Sequence, residues 1–569
     1  MIKNLLDVIY KLFHLIKKED RSFLFIITFF GLVTSLLEIL SLTSFYYFLN
    51  FFSNQIQKIP QFIINILDIK IISFLNYGII FFICFVSFSS LRIFFSIFTT
   101  HLTHNFNYKF NVAMSDFLSF SYLTRNYQKI INQNDSSLIS NLTDKIPHVG
   151  SVLLNVNFLF AELLILLVTL LFLSLVNWKL TLFLLFFFLF ILISFNKIFA
   201  NKINNISKER QYFNNKRLEL SSFIIKSLKD IKILQKENYV HSLLTIFTKK
   251  NFTAYKKMQL IQSYPRFISE FIFLFLILFF FLYIFYIKQA ELNNYIPLIG
   301  VYAFSIFRII PVINKITFYI NNSLFYKPTL EIFYDEKTNF LREEKKKNLS
   351  YKKKEINFTN KLNVNNISFS YKSKNYIFKN LNINFLKNNS YAILGPSGFG
   401  KTTLLNILLG LLRPIRGSVQ IDDKNILSCL PDYLSLIGYI PQEFYFLEDT
   451  VQNTILFGKK KDEKKIKDII INLKLINTTN KNKINYFLNR NVKLLSAGQK
   501  QKVAIARCLY NENKILIFDE PTSSLDSKSI NEFIKIITSL KKNRTIIVVT
   551  HDINFANNFD HQIDLSQSK

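Results

Sequence analysis

Cysteine is scarce in this chain, with three among 569 residues. Cys84 lies in an apolar stretch, whereas Cys429 and Cys508 lie in a more polar part. Their spacing gives neither a metal site nor a disulfide framework.

No internal repeat is evident in the chain, and its length predicts two or three domains.

Acidic residues are also few, with 38 Asp and Glu against 70 Lys and Arg and a net charge of +32. Such a balance is typical of nucleic-acid binding. However, Lys, Asn, Ile and Phe are over-used together, which indicates a general composition bias. Much of the lysine also lies where a membrane protein needs it. We therefore expect no nucleic-acid partner.

Hydrophobic residues make up half of the chain, and the mean hydropathy is +0.23. The excess of hydrophobic residues lies in the N-terminal part of the chain, which contains six apolar windows. A helix needs about 20 such residues to cross a bilayer, so each window is a candidate membrane span. Buried core helices are the alternative, but the length and number of the windows favour membrane spans. The windows are 23–49, 71–99, 152–176, 180–195, 267–287 and 295–325.

Two connections between these windows are long, basic and helical in their periodicity, so the membrane helices should extend far beyond the bilayer. Turns are expected at 122–133 and 224–236, where short helices could lie against the soluble part. The positive-inside rule places both extensions and the basic N-terminus in the cytoplasm. The connection 50–70 faces outside, either as a membrane-surface loop or as a short helix that touches substrate.

The chain changes character near residue 336. We predict a helical membrane domain at 1–335, a charged linker at 336–361 and an α/β domain at 362–569, where strands alternate with helices. The run 342–354 is interpreted as a solvated linker that can contact anionic lipid headgroups.

A glycine-rich turn follows a short apolar strand in the α/β domain. It matches G-x-x-x-x-G-K-[ST] between a strand and a helix, so its backbone N–H groups can point at phosphates. Lys401 is expected to reach the β and γ phosphates of ATP, and Thr402 to hold Mg²⁺. The predicted cofactor-binding residues are Gly395, Pro396, Ser397, Gly398, Phe399, Gly400, Lys401, Thr402 and Thr403.

A second apolar strand ends in two carboxylates, Asp519 and Glu520. We expect Asp519 to hold Mg²⁺, directly or through water, and Glu520 to polarise the attacking water. Alone, such a strand is a weak signal. Its position about 118 residues after the glycine-rich turn makes it a strong one.

The segment 495–499, Leu-Ser-Ala-Gly-Gln, resembles the L-S-G-G-Q signature of ABC transporters. The resemblance implies that this loop faces the γ-phosphate held by an opposite subunit. It also implies a catalytic or metal-sensing role for Gln442, a catalytic role for His551, adenine stacking for Tyr371 and a nucleotide contact for Asp526. Ser496, Ala497, Gly498 and Gln499 are the signature residues in the predicted site.

The signature departs from the family pattern at Ala497, where glycine is usual. Alanine is tolerated if that position does not need a positive φ. The order of membrane domain and cassette resembles half-transporters of the exporter type, which implies a dimer. Because both half-sites are intact, a homodimer is the simplest assembly.

Within that group the chain resembles PglK-type flippases of lipid-linked oligosaccharides. The likeness rests on the segments 17–20 (Lys-Lys-Glu-Asp), 264–266 (Tyr-Pro-Arg) and 307–311 (Phe-Arg-Ile-Ile-Pro). It implies a polyprenyl-pyrophosphate glycan as substrate and a bacterial inner-membrane location. The alternatives are a lipid A, phospholipid or drug exporter, and a membrane ATPase that regulates another complex without transport.

Three arginines lie in or at the ends of the membrane windows: Arg92, Arg266 and Arg308. A membrane arginine usually faces a water-filled cavity. One hypothesis is a belt that binds a pyrophosphate headgroup by charge-assisted contacts. The other is that each arginine pairs with Glu38, Glu162 or Glu270, or extends to the membrane surface.

Overall fold

The structure is a computed structural model. It describes residues 2–53, 74–131, 133–287, 292–350, 356–371, 376–396, 398–476, 480–522 and 527–567. The chain forms two compact units. The first comprises Met1–Arg125 and Ile131–Arg342, and the second comprises Asn126–Ile130 and Glu343–Lys569.

The N-terminal part of the chain contains helices joined by short turns, and no strand, within the described residues. Two of its helices have 51 residues and a third has 49. At 1.5 Å per residue, 51 residues span about 75 Å, more than twice the ~30 Å hydrocarbon core. The long extensions beyond the bilayer are therefore confirmed. The helices are α1 (Ile2–Leu15), α2 (Arg21–Phe52), α3 (Phe74–Thr124), α4 (Tyr127–Ile130), α5 (Asp135–Leu142), α6 (Lys145–Val176), α7 (Trp178–Lys226), α8 (Leu228–Ile233), α9 (Glu237–Ile287), α10 (Leu292–Phe325) and α11 (Lys327–Ser350).

Five helices are long and apolar enough to cross a membrane within the residues that the structure describes. They cover five of the six predicted windows. The remaining window, 267–287, falls on the C-terminal part of α9, where several side chains lie outside the described part of the chain. The predicted turns at 122–133 and 224–236 hold the short helices α4 and α8. The predicted external connection is 50–70, and from residue 54 onwards it lies outside the described residues.

A single residue, Asn177, joins α6 to α7. Its side-chain oxygen accepts a hydrogen bond from Leu180 N at 3.3 Å and so caps α7. Tyr302 of α10 donates its hydroxyl to the Asn177 carbonyl at 2.8 Å and lies 2.9 Å from the Thr181 hydroxyl. These contacts satisfy backbone groups that would otherwise be unpaired at two helix ends.

The second unit contains two β-sheets. The strands are β1 (Lys361–Phe369), β2 (Phe378–Leu386), β3 (Ser390–Leu394), β4 (Arg416–Ile421), β5 (Lys424–Asn425), β6 (Ile437–Ile440), β7 (Ile515–Asp519), β8 (Thr545–Val549) and β9 (His561–Asp564). The antiparallel sheet has the order β2-β1-β4-β5 and the parallel sheet the order β6-β7-β8-β3-β9. All residues of β7 and β8 are buried, as expected for a parallel sheet covered on both faces.

Helices cover the parallel sheet and pack apolar side chains against it. Phe518 of β7 and Val548 of β8 share one core with helical residues such as Ala504. The helices are α12 (Lys401–Leu408), α13 (Leu430–Leu436), α14 (Val451–Leu456), α15 (Glu463–Asn472), α16 (Lys481–Leu488), α17 (Ala497–Tyr510), α18 (Ser527–Lys541) and α19 (Ile553–Ala556).

The segment predicted as a linker, 336–361, is helical as far as Ser350, since α11 continues through it. Entry into the first strand is fixed by Asp422. Its carboxylate accepts hydrogen bonds from the backbone N–H groups of Asn360 and Lys361, each at 2.8 Å. The domain limits 1–335 and 362–569 remain predictions.

Asp560 fixes the start of β3, the strand that leads into the glycine-rich turn. Its carboxylate accepts hydrogen bonds from Ser390 N at 2.9 Å and Ser390 Oγ at 2.7 Å, and pairs with Lys541. Burial opposes ionisation, but these donors outweigh it and lower the pKa of Asp560 to about 2.

We expect Asp560→Asn to lower the apparent melting temperature at pH 7 by roughly 2–4 °C. This shift corresponds to a loss of about 1 kcal/mol in the free energy of unfolding, because the carboxylate is partly exposed. A depressed pKa stabilises the fold above the unfolded value near 3.9, and this contribution disappears as pH falls towards 2. The difference in melting temperature between Asp560→Asn and the parent protein should therefore become smaller below about pH 4. Thermal melting against pH measures this, with Asp423→Asn at an exposed turn as the control. A difference that does not change with pH would contradict it.

Candidate nucleotide site

The glycine-rich turn lies between β3 and α12, as the sequence predicts. Gly398 and Gly400 have φ angles of +84° and +88°, a region that favours glycine. Gly400 is the N-cap of α12, and its carbonyl accepts Leu404 N at 2.8 Å. A Cβ at Gly400 would lie 2.5 Å from Ile377 Cγ2 and 2.8 Å from Phe378 Cζ. Both the backbone angle and the packing therefore require glycine there.

Lys401 is buried at the first position of α12. Its ammonium donates to the Gly395 carbonyl at 2.6 Å and lies 3.7 Å from Glu520 Oε1. The lysine thus lies over the turn beside the helix N-terminus, where partial positive charge already favours anions. The residues present fit the phosphates of a nucleotide.

Glu520 lies close to three other predicted site residues, Gln442, His551 and Lys401. It follows β7, and its Oε2 accepts a hydrogen bond from Gln442 Nε2 at 3.1 Å. Its Oε1 lies 3.6 Å from His551 Nδ1 and 3.7 Å from Lys401 Nζ. The sheet order explains this, because β8 lies between β7 and β3 and all three are parallel. Their carboxyl ends therefore share one edge of the sheet, where α/β proteins bind ligands.

The backbone of Glu520 has φ +43°, which is uncommon for a residue with a side chain. Its N–H donates to the Val549 carbonyl at 2.9 Å, which holds the chain in this conformation. Strained backbone of this kind clusters at functional sites. In this conformation the carboxylate of Glu520 lies 3.7 Å from Lys401 Nζ at the start of α12.

Asp519 is buried at the end of β7. Burial raises the pKa of its carboxyl and the neighbouring Glu520 charge adds to this, while Tyr439 and Lys401 oppose it. Its Oδ2 accepts a hydrogen bond from the Tyr439 hydroxyl at 3.2 Å. A carboxylate, the Thr402 hydroxyl and nucleotide phosphates form the oxygen donor set that Mg²⁺ takes, so these residues fit the ion.

Tyr371 is half-exposed beside α12. Its hydroxyl lies 3.3 Å from Thr403 Oγ1, and its ring meets Phe369 edge-on with 5.1 Å between centroids. About half of the side chain is exposed in the described part of the chain, which fits the predicted stacking on adenine.

The signature segment begins α17 with a capping box. Ser496 Oγ accepts Gln499 N at 3.3 Å, and Gln499 Oε1 accepts Ser496 N at 3.1 Å. Ala497 is the first helical residue and has no positive φ. Alanine therefore causes no backbone strain where the family pattern has glycine.

Two predicted residues, Ser397 and Asp526, lie outside the described residues. The sequence reasoning also missed one contact, the hydrogen bond from Tyr439 to Asp519. The sequence did contain a signal for this contact, because Tyr439 lies on a short strand three residues before the predicted site residue Gln442.

The membrane arginines separate into two groups. Arg92 NH1 lies 3.3 Å from Glu38 Oε2, and Arg308 pairs with the other oxygen of the same carboxylate. Arg308 also donates to Ser41 Oγ at 3.2 Å. Arg266 instead pairs with Glu270, four residues along α9, at 2.9 Å. The structure therefore brings Arg92 and Arg308 together at Glu38 and leaves Arg266 in a separate pair.

Two family models match the chain. One, described as the ABC transporter transmembrane region, matches residues 24–308, half of the chain. The other, described as ABC transporter, matches residues 378–523 and so includes the glycine-rich turn, the signature and Glu520. The chain belongs to the ABC transporter family. The predicted fold class is confirmed, and so is the prediction of an ATP hydrolase coupled to transport.

Individual relatives align with parts of this ABC transporter. EcfA1 of Mesomycoplasma hyopneumoniae, an energy-coupling factor transporter ATP-binding protein, is 36% identical over 206 residues, which is 34% of this chain and 74% of that protein. An ATP-dependent lipid A-core flippase of Wigglesworthia glossinidia brevipalpis is 35% identical over 202 residues, 33% of this chain and 34% of that protein.

A solved structure of a bacterial Atm1-family ABC exporter with ATP bound covers 95% of this chain and 94% of its own, with a TM-score of 0.71. At 13% identity this likeness shows the fold alone. The half-transporter of exporter type, with membrane helices and cassette on one chain, is thus confirmed as an architecture.

Proposed function

We propose that this ABC transporter works as a homodimer in the bacterial inner membrane and flips a lipid-linked oligosaccharide across it. Its N-terminus and cassette lie in the cytoplasm. The observation that carries the substrate class is the cluster of Arg92, Arg308 and Glu38.

Glu38 is 1% exposed, and both arginines share its single carboxylate. Two guanidinium groups and one carboxylate leave one positive charge in excess. Arg92 Nε is buried and has no hydrogen-bond partner within the described part of the chain. The nearby acid Glu162 pairs with Lys315 at 2.8 Å, so its negative charge is already balanced and does not neutralise the excess positive charge.

An excess positive charge among membrane helices is costly and marks a ligand or ion pathway. A pyrophosphate group satisfies it, since guanidinium groups bind phosphate oxygens by bidentate, charge-assisted hydrogen bonds. This chemistry supports a polyprenyl-pyrophosphate glycan as the substrate. Arg266 pairs with its own neighbour and is the weaker candidate of the three.

The homodimer proposal rests on the two halves of the nucleotide site. This chain carries both an intact glycine-rich turn and an intact signature helix with its cap. The family resemblance implies that each ATP lies between one turn and the partner's signature. Two identical chains then complete two sites, with Thr402, Gln442 and Asp519 holding Mg²⁺.

Arginine-to-alanine variants test the substrate class. We expect Arg92→Ala and Arg308→Ala to reduce flipping of a fluorescent polyprenyl-pyrophosphate oligosaccharide at least about tenfold, the loss of one charge-assisted contact. Basal ATP hydrolysis should stay within about twofold. The measurement compares flipping in proteoliposomes with phosphate release in the same samples. Arg266→Ala is measured beside them.

Arg217→Ala is the matched control, because this arginine lies on the extension of α7 and contacts Asn214. It should leave both flipping and hydrolysis near the parent values. Unchanged flipping in all three membrane variants would overturn the pyrophosphate proposal without affecting the ATPase assignment.

An exporter of lipid A or another phospholipid is the second candidate, supported by the lipid A-core flippase among the relatives. Its phosphate groups would satisfy the same arginines. Competition separates the two, since excess unlabelled lipid A should block flipping of the labelled oligosaccharide lipid only if it is the better substrate. A regulatory ATPase without transport is less favoured, because Glu520 and His551 are both in place.

A further inference from the structure

Tyr439 lies on β6, the edge strand of the parallel sheet. Its Cα is paired in register with Ile517 of β7. Side chains alternate between faces along a strand, so Ile517 and Asp519 lie on one face and Tyr439 projects to the same side. The phenol is long enough to reach diagonally from Tyr439 to the end of β7.

The contact formed there is a hydrogen bond of 3.2 Å from the Tyr439 hydroxyl to Asp519 Oδ2. Three residues later, Gln442 donates to Glu520 Oε2 at 3.1 Å. The end of β6 therefore contacts both consecutive carboxylates of the site. Burial is the largest cause of a raised pKa for the Tyr439 hydroxyl, and the Asp519 charge adds to it.

We propose that Tyr439 is a positioning residue for ATP hydrolysis, whose hydroxyl fixes the orientation of the Asp519 carboxylate for Mg²⁺. The hydrogen bond occupies Oδ2 and restricts rotation of the carboxylate, so that the other oxygen is presented in one direction. Groups that orient metal ligands in this way commonly change metal affinity or activity 10- to 100-fold when removed. The proposal rests on Asp519 being the Mg²⁺ carboxylate.

The test is Tyr439→Phe in the full-length protein, which keeps the ring and removes only the hydroxyl. At fixed ATP, we expect the Mg²⁺ concentration for half-maximal hydrolysis to rise about tenfold. Binding of a fluorescent ATP analogue in EDTA should be unchanged, which also shows that the variant is folded. A merely structural role would not shift the Mg²⁺ dependence alone.

Tyr510→Phe is the matched control. Its buried hydroxyl donates to the Lys460 carbonyl at 2.6 Å and accepts Asp462 N at 2.8 Å on another part of the unit. This variant should unfold at a lower temperature than the parent protein, while its ATP hydrolysis should depend on Mg²⁺ concentration as in the parent. The proposal is overturned if Tyr439→Phe and Tyr510→Phe have the same Mg²⁺ dependence. It also fails if Asp519→Asn keeps the parent dependence, which would show that Asp519 is not the metal ligand.

Discussion

Glu520→Gln is expected to lower ATP hydrolysis at least about 100-fold and to stop transport with it. A positioned general base contributes about 10²- to 10⁴-fold, and an amide cannot accept the proton of the attacking water. The substitution keeps the size of the side chain, so the neighbouring Gln442, His551 and Lys401 remain in place. Phosphate release and substrate flipping are measured on the same proteoliposomes.

ATP binding should survive this change, because the substitution leaves the glycine-rich turn and Lys401, the expected phosphate-binding groups, unaltered. Glu512→Gln is the matched control, since Glu512 pairs with Lys465 away from the site. It should hydrolyse ATP at the parent rate. Transport that persists in Glu520→Gln without hydrolysis would contradict the coupling of the two.

Gly400→Ala should weaken ATP binding about 100-fold. Its φ of +88° costs a residue with Cβ about 1–2 kcal/mol, and overpacking adds about 1–3 kcal/mol. Ile377 is β-branched and stiff, and Phe378 is 1% exposed, so neither can move aside without cost. A loss of about 3 kcal/mol corresponds to roughly 100-fold in affinity. Titration with a fluorescent ATP analogue measures it.

Gly458→Ala separates backbone strain from crowding. Gly458 has φ +87°, nearly the value at Gly400, but a Cβ there would meet nothing within 4 Å. We expect a small loss of stability of about 1 kcal/mol and parent ATP affinity. Equal loss of ATP affinity in both variants would show that crowding by Ile377 and Phe378 is not the reason Gly400 is required.

The candidate nucleotide site was predicted from local patterns of sequence. The turn at 395–400 needs glycine at particular backbone angles, and β7 needs an apolar run that ends in carboxylates. Both requirements concern residues that are consecutive in the sequence, so they can be recognised without knowledge of the fold. The six membrane windows are equally local, because crossing a bilayer depends on length and hydropathy alone.

Contacts between distant residues were not predictable in this way. The sequence left open whether each membrane arginine pairs with an acid or binds a ligand. The structure shows that Arg92 and Arg308 share Glu38. This sharing depends on the packing of α2, α3 and α10, which no spacing of charges reveals. The substrate therefore stays a proposal, supported by the excess positive charge.

The sequence by itself determined an ABC transporter chain with apolar helices, a glycine-rich turn, a signature and a strand ending in Asp519 and Glu520. Only the tertiary structure decided which of these residues meet. Parallel order in one sheet places β7 and β3 on either side of β8, and so brings Glu520 to Lys401 and His551. Strand register decided that Tyr439 reaches Asp519, because register sets which side chains share a face.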